Sequence, residues 1–262
     1  WNKYISNLPI NLRDIYIKPE YFKPYEQYLN CKAECFIYKK NYNLCVFPYL
    51  IKEIILNNKV FNKKYYDAES VYGYSGIVFN TKDKKFIQDS FFFIKEYFKK
   101  KNVVICFLKF NPLQTINKEI YEFVEITRDR KIISIKVDNE YDYIFNKQYS
   151  SNNRNMIRKA RKKNNISIGN SKDHIDFFIK NYHENLLRLK ADDFYYFNRE
   201  YFDSILNSLE NLGFVLNVFD DKNICQASSL ILTSDYYAHY HLSGKSINNN
   251  DNSITNFMLD EI

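Results

Sequence analysis

The sequence predicts a mixed α/β (α+β) fold made of two similar halves. Helical patterns and β-type runs alternate along the chain, and in each half helices precede strands joined by short turns. A hydrophobic share of 45% is ordinary for a globular protein, and 262 residues can bury one large core or two modest ones. The hinge falls near residue 150, which predicts domains at 1–149 and 150–262. No low-complexity linker separates them, so we expect the halves to pack as one body.

Turn and capping signals define the elements of the first half. Pro19 opens a helix because proline fits a first helical turn, and Asn41 is a turn residue between the strands of a hairpin. Two glycines make residues 70–76 a loop, and Asn111-Pro112 ends a strand. The predicted elements are the helix 19–29, strands 33–39 and 44–50, the helix 83–100, a buried strand 103–110, a strand 131–137 and a short helix 141–147.

The second half repeats this alternation. Asp220 to Asn223 form a polar turn between two strands, which indicates a hairpin. A last helix begins near Ser253 and is cut off at Ile262, so we expect this half to be incomplete at its C-terminus. The predicted elements before that helix are the strand 166–168, the helices 174–189 and 199–209, and the consecutive strands 213–219, 224–232 and 236–242.

A basic amphipathic helix, predicted over 152–164, opens the second half. Serine and asparagine before it are good N-cap residues. Arg154 and Arg158 lie on one face, whereas Met156, Ile157 and Ala160 share another. The cationic face could be solvated, could follow a nucleic-acid backbone or could hold an anionic substrate group. Because the rest of this half is acidic, we favour a local anion site. The cations of this stretch are Arg154, Arg158, Lys159, Arg161, Lys162 and Lys163.

Two histidines stand out in the predicted strand 236–242. Strict alternation places His239 and His241 on one face and Tyr240 and Leu242 on the other. Two imidazoles with a tyrosine beside them could accept a proton or form a hydrogen-bonding set. The alternative is a polar strand face that a helix covers.

Several chemical classes lack their signatures in this chain. It contains no G-x-S-x-G elbow, phosphate-binding loop, dinucleotide fingerprint or H-E-x-x-H pair. The odd number of cysteines, most of them among apolar neighbours, predicts free thiols in a reducing cytoplasm. No second Cys/His pair completes a zinc set with Cys31 and Cys35, so we predict no metal. The longest apolar runs are far shorter than the roughly 20 residues that span a bilayer, so we predict no transmembrane segment.

Six segments, taken together, resemble the FemAB-like branch of the GNAT acyltransferase superfamily and follow its order over nearly the whole chain. The resemblance implies two GNAT-like halves and transfer of an acyl group to an amine by direct attack. The usual pyrophosphate loop, Q/R-x-x-G-x-A, is absent from this sequence, which leaves the donor open between acetyl-CoA, another acyl-CoA and aminoacyl-tRNA. The segments are DIYIKPEYFKPYE (14–26), SVYGYSG (70–76), FLKFNPL (107–113), SSNNRNMIRKARKKN (150–164), FYYFNREYF (194–202) and YAHYHLSG (237–244).

Within this resemblance we expect an acceptor cleft between the halves. Arg154 and Arg158 would bind phosphate or carboxylate on a nucleotide-linked or lipid-linked amine, or on tRNA, because guanidinium donates in a bidentate fork. His239 or His241 would take up the amine proton. Tyrosines of the glycine loop would stack on a sugar or base. The candidate substrate-binding residues are Tyr72, Tyr74, Lys109, Asn153, Arg154 and Arg158.

Cell-wall peptides, amino sugars of surface polysaccharides and modified proteins all fit as acceptors. Two other classes stay open at this point. A nucleic-acid-binding module would use the basic helix on a phosphate backbone. A catalytically inactive scaffold would keep the GNAT-like fold without the chemistry.

Overall fold

A computed structural model describes residues 1–55, 63–114 and 118–262. The chain divides into two units, Trp1–Ile132 with Ser234–Tyr237, and Ile133–Thr233 with Ala238–Ile262. Each unit contains one β-sheet with helices packed on it. The mixed α/β class predicted from the sequence is therefore confirmed.

The first unit contains helices and strands that match most of the predicted elements. Short 3₁₀ turns cover Ile10–Leu12, Ile15–Ile17 and Lys118–Glu122. Its helices are α1 (Asn2–Ile5), α2 (Pro19–Leu29) and α3 (Lys84–Lys100), and its strands are β1 (Lys32–Lys40), β2 (Asn43–Glu53), β3 (Tyr66–Glu69), β4 (Val78–Phe79) and β5 (Val103–Phe107).

The sheet of this unit has the order β1-β2-β3-β5, with β4 paired to β2. β1 and β2 form the predicted antiparallel hairpin, and Asn41 turns it with a φ of 56°. β3 and β5 run parallel, and α3 lies between them in sequence. Asp83 caps α3 by accepting a hydrogen bond from the Phe86 N–H. Aromatic side chains of α3 and β2, including Phe86, Phe91 and Phe47, fill the core.

Two strand predictions for this region are wrong. The strand predicted at 103–110 ends at Phe107 and is the last strand in the order of the described sheet. Three of its apolar side chains, Val104, Ile105 and Phe107, are more than 60% exposed. Residues 131–137 adopt neither helix nor strand, and every one of them is exposed. β-forming residues need a neighbouring strand for their backbone hydrogen bonds, so the alternating pattern alone does not produce a strand.

The second unit follows its predicted elements closely, with small shifts at the ends. A π-helix, Ile144–Gln148, continues the short first helix, and 3₁₀ turns cover Asp193–Tyr195 and Glu210–Leu212. The helices are α4 (Tyr141–Tyr143), α5 (Ser151–Arg161), α6 (Lys172–Leu189), α7 (Arg199–Leu209) and α8 (Ser253–Asp260), and the strands are β6 (Asn164–Gly169), β7 (Gly213–Asp220), β8 (Cys225–Thr233) and β9 (Ala238–Lys245).

The four strands form an antiparallel sheet in the order β6-β7-β8-β9. Asn223, with a φ of 58°, turns the hairpin between β7 and β8 as predicted. Helices cover both faces of the sheet. α5 and α8 pack on one face through Ile157, Ala160 and Phe257. On the other face, the Asn181 amide of α6 donates hydrogen bonds to Ser228 Oγ (2.9 Å) and Cys225 Sγ (3.2 Å).

Candidate functional site

The carboxyl ends of the two parallel strands bring together distant parts of the first unit. β3 and β5 pair as far as Glu69 and Phe107. Beyond that point the Ser70 N–H donates to the Phe107 carbonyl (2.9 Å), and the Lys109 N–H donates to Ser70 Oγ (3.0 Å). Loops that follow neighbouring parallel strands meet at one sheet edge, which is where ligands bind in many α/β proteins.

A buried polar pair joins these loops to the N-terminal segment. Asp14 and Asn111 are 1% and 6% exposed, and the Asn111 amide donates to Asp14 Oδ2 at 2.8 Å. Asp14 Oδ1 accepts from the Tyr16 N–H at 3.1 Å and so caps a 3₁₀ turn. Asn111 Oδ1 accepts from the Leu113 N–H. These bonds hold the FLKFNPL segment against the start of the DIYIKPEYFKPYE segment.

The glycine loop packs against two tyrosines of the same N-terminal segment. Gly73 has a φ of 116°, and a Cβ at this position would lie 2.5 Å from Tyr16 Cε1, so only glycine fits. The Tyr16 and Tyr74 rings meet edge-to-face at 5.9 Å. The Tyr21 hydroxyl donates to the Tyr72 carbonyl at 2.6 Å. Burial raises the pKa of Tyr16, and the nearby Asp14 charge adds to this effect, so the Tyr16 hydroxyl stays protonated.

A cavity of about 340 Å³ lies beside this cluster, within the size range of small-molecule sites. Tyr74 lines it, together with an apolar wall that includes Phe79 and Phe110. Its polar lining consists of Asn11, Asp14, Asn80, Thr81, Lys82, Asn111 and Gln114. Amides, a carboxylate and an aromatic ring together can bind a ligand rich in hydroxyl and amine groups.

Two residues of this unit that were predicted to bind substrate, Lys109 and Tyr72, lie close to each other. The Lys109 ammonium is 5.9 Å from the centre of the Tyr72 ring, a cation–π distance. Lys109 is exposed and Tyr72 half-buried. The role of these two residues and of Tyr74 in substrate binding stays a prediction.

The basic helix of the second unit forms as the sequence predicts. Ser150 Oγ accepts from the Asn153 N–H at 3.2 Å and caps α5. Ile157 and Ala160 are 2% exposed and face the core, whereas Lys162 and Lys163 are exposed. The helix therefore packs by its apolar face and presents cations on the other.

Arg154 and Arg158 both interact with the π-helix that precedes α5. Arg154 Nη1 donates to the carbonyls of Asn146 (3.2 Å) and Tyr149 (2.5 Å), which satisfies acceptors at a helix end. The Arg158 guanidinium lies 5.2 Å from the Phe145 ring centre and is otherwise exposed. Asn153 is exposed at the first turn. Binding of an anion by these three residues stays a prediction. Arg154 also has a structural role, because it donates hydrogen bonds to two carbonyls at the end of the π-helix.

Arg161, one of the cations of the basic helix, forms ion pairs. Its guanidinium donates to Asp260 Oδ2 and Glu261 Oε1, both at 2.6 Å. The Asp260 side chain is 0% exposed and also accepts from the Tyr141 hydroxyl at 2.9 Å. Hydrogen bonding to Tyr141, and then to Glu261, raises the pKa of Arg161. This cluster ties the end of α5 to the end of α8.

A β-bulge in β9 interrupts the strict alternation on which the prediction of a shared histidine face depends. Leu242 pairs with Leu230 and Tyr240 with Ile231, so His241 between them has no counterpart on β8. Directly opposite residues share a sheet face, and Leu230 and Ile231 face opposite sides. Tyr240 and Leu242 therefore also face opposite sides, and Leu242 shares its face with His239, which pairs with Leu232.

Burial lowers the pKa of His241 to about 3, and repulsion from His239 adds to the decrease. The imidazole of His241 is therefore neutral at pH 7 and a weak base. Because the sheet geometry and not the local sequence makes the bulge, strand periodicity could not reveal that His241 lies in it.

The lowered pKa predicts a specific loss of stability in acid. His241 takes up a proton more readily in the unfolded chain (pKa 6.5) than in the folded chain (about 3). Its contribution is thus fully present above pH 6.5 and is lost as the pH falls toward 3. We expect the free energy of unfolding of the wild type to fall faster than that of His241→Gln, by at most about 1.4 kcal/mol per pH unit. Urea unfolding at pH 7, 6 and 5 measures this, and parallel curves would contradict it.

Asp14 and Asn111 are the site residues that sequence reasoning missed. Asp14 is the first residue of the DIYIKPEYFKPYE segment, and Asn111 was interpreted only as a strand end before Pro112. Both positions lie inside segments that carry the resemblance. Their 97-residue separation leaves no local signal that they touch.

Comparisons with known proteins add no family to this description. The chain matches no protein-family model, and no curated protein shows a significant match to it. Among the described residues, no helix is long and apolar enough to cross a membrane. In the same ranges, no three His, Cys, Asp or Glu side chains gather in a way that could hold a metal ion. The five cysteines are all free thiols.

Proposed function

We propose that the protein is a cytoplasmic N-acyltransferase of GNAT/FemAB type that acts on an amine of a cell-wall or surface-glycan precursor. One observation carries the proposal. Three of the segments that resemble this class, separated by up to 97 residues, converge on one cavity. Acetyl-CoA, another acyl-CoA or aminoacyl-tRNA would be the donor substrate.

The cavity lining supports an acceptor that carries hydroxyl and amine groups. The side chains of Asn11, Lys82 and Gln114 bring amide and ammonium groups to the cavity. Asp14, Asn80 and Asn111 hold its wall in place, because their polar atoms form hydrogen bonds within the protein. Tyr74 offers a ring against which the apolar face of a sugar can pack. Outside the cavity, Lys109 would attract a phosphate or carboxylate on the same acceptor.

The reaction needs no covalent intermediate. The neutral amine attacks the acyl carbonyl, a C–N bond forms, the C–S or C–O bond to the donor breaks, and the thiol or hydroxyl leaves. The amine loses one proton, which requires a base. Of the two candidate histidines, His239 suits this role, because a pKa of about 3 makes His241 a poor proton acceptor. His241 would act as a neutral hydrogen-bonding group.

Substitution of Tyr74 tests the acceptor site. With acetyl-CoA as donor and UDP-glucosamine as a probe acceptor, we expect Tyr74→Ala to raise the acceptor KM about tenfold, which is roughly 1.4 kcal/mol of lost contact. The donor KM should not change. Tyr42→Ala is the matched control, because Tyr42 is 95% exposed at a hairpin turn of the same unit. Mass spectrometry of the acylated product and thiol release measure the rates.

The outcomes of this assay separate the open classes. Equal acceptor KM values for Tyr74→Ala and Tyr42→Ala would remove the cavity from acceptor binding. Absence of product with acetyl-CoA, longer acyl-CoAs and aminoacyl-tRNA, across amino-sugar and peptide acceptors, would overturn the acyltransferase proposal and favour an inactive scaffold.

A further inference from the structure

The second unit contains a long stretch without a single acidic residue. Between Asp142 and Asp173 the chain has no Asp or Glu. One of its cations, Arg161, is neutralised by Asp260 and Glu261. The others are exposed, apart from the half-buried Arg154. The cations of the stretch are Lys147, Arg154, Arg158, Lys159, Arg161, Lys162, Lys163 and Lys172.

Large apolar side chains of the same unit are exposed, some of them beside these cations. Ile133, Val137 and Tyr143 are 95%, 76% and 53% exposed. The side-chain amide of Gln148 donates to the Lys136 carbonyl at 3.3 Å, which places the segment around Val137 beside the π-helix. The same π-helix contacts Arg154 and Arg158. We call this set the cationic–apolar surface: Ile133, Val137, Tyr143, Lys147, Arg158, Lys159 and Lys162.

We propose that the cationic–apolar surface binds the surface of an anionic lipid bilayer. Cations are attracted to anionic headgroups, and exposed aliphatic and aromatic side chains gain by entering the headgroup boundary. The acids near this surface are Asp138, Glu140, Asp142 and Asp251, and Asp138 is paired with Lys136. Hydrogen bonds from Ser253 lower the pKa of Asp251, and the nearby Lys159 charge adds to this effect. The run from 143 to 172 therefore keeps its positive charge.

Lipid fits this surface better than nucleic acid does. A phosphate backbone would match the cations but would leave Ile133 and Val137 in water. A bilayer accepts both features together, and attachment through one surface needs no spanning helix. The inference does not depend on the acyl-transfer proposal, because binding is measured without donor or acceptor.

Vesicle flotation tests the charge contribution. We expect the full chain to float with vesicles of phosphatidylcholine and phosphatidylglycerol in equal parts but not with pure phosphatidylcholine, and to dissociate in high salt. Charge reversal of Arg158, Lys159 and Lys162 to Glu should weaken binding at least tenfold. A matched variant reverses three exposed helical cations of the first unit by replacing Lys23, Lys99 and Lys100 with Glu. This variant should bind vesicles like the wild type.

A tryptophan probe tests insertion of the apolar side chains. The emission of Val137→Trp should shift to the blue on addition of the anionic vesicles, whereas that of Tyr42→Trp should not. Equal weakening by the two charge-reversed variants, binding to an unrelated RNA without binding to vesicles, or unshifted emission at position 137 would each overturn the proposal.

Discussion

Replacement of Gly244 by alanine is expected to disrupt the second unit. A Cβ at this position would lie 2.1 Å from the Asn181 carbonyl oxygen and 2.6 Å from Tyr182 Cα. These are backbone atoms of α6, so no side-chain rotation can relieve the clash. The Asn181 amide holds this turn of α6 to Ser228 on the sheet, so a shift of the helix would also break that bond. We expect a loss of more than about 3 kcal/mol, at the upper end of overpacking costs.

Gly213→Ala provides the matched control in the same sheet. Its Cβ would meet only side-chain tips, with Leu206 Cδ2 at 3.2 Å and Leu232 Cδ2 at 3.4 Å. Those leucines can move by the few tenths of an ångström required, so we expect a change within about 1 kcal/mol. Thermal unfolding followed by circular dichroism measures both variants. Equal melting temperatures for the two would show that α6 does not pack this closely on β9.

Arg161→Ala is expected to cost about 2–3 kcal/mol, the second largest effect. The substitution leaves the Asp260 carboxylate, which is 0% exposed, without its guanidinium partner. Removal of one member of a buried pair costs about 3–5 kcal/mol, and we take a lower value because the Arg161 side chain is 43% exposed. Urea unfolding of the variant and the wild type at pH 7 measures the difference.

A double variant identifies the cause of this loss. Arg161→Ala/Asp260→Asn removes the uncompensated charge, so we expect it to recover at least half of the stability. Arg130→Ala breaks an ion pair whose side chains are 78% and 77% exposed and should cost less than about 1 kcal/mol. No recovery in the double variant would mean that the guanidinium stabilises α8 by packing, for example through its 5.8 Å contact with Phe257, and not by charge.

The sequence predicted the elements whose signals are local. Pro19 at a first turn marked α2, and Ser150 before a polar run marked α5. The turns at Asn41 and Asn223 marked two hairpins. Each of these signals acts over four residues or fewer, because caps and tight turns are closed by neighbouring backbone groups. The apolar side of α5 followed in the same way from the helical period.

Two predictions that depended on strand pairing with distant parts of the chain were wrong. The alternating residues 131–137 have the composition of a strand but adopt none, because a strand needs a partner edge. The strand ending at Phe107 was predicted to be buried, yet it is the last strand in the order of the described sheet, and three of its apolar side chains are more than 60% exposed. Neither result depends on residues nearby in sequence.

The sequence alone therefore determined the α/β class, the extents of most helices and strands, and the concentration of cations on α5. Only the tertiary structure decided how those residues are used. It joined Asp14 to Asn111 across 97 residues, paired Arg161 with a buried carboxylate, placed His241 at a bulge and lowered its pKa by burial. The physical reason is range. Caps, turns and periodicity act through a few bonds, whereas burial, charge pairing and strand register depend on whichever distant segment packs alongside.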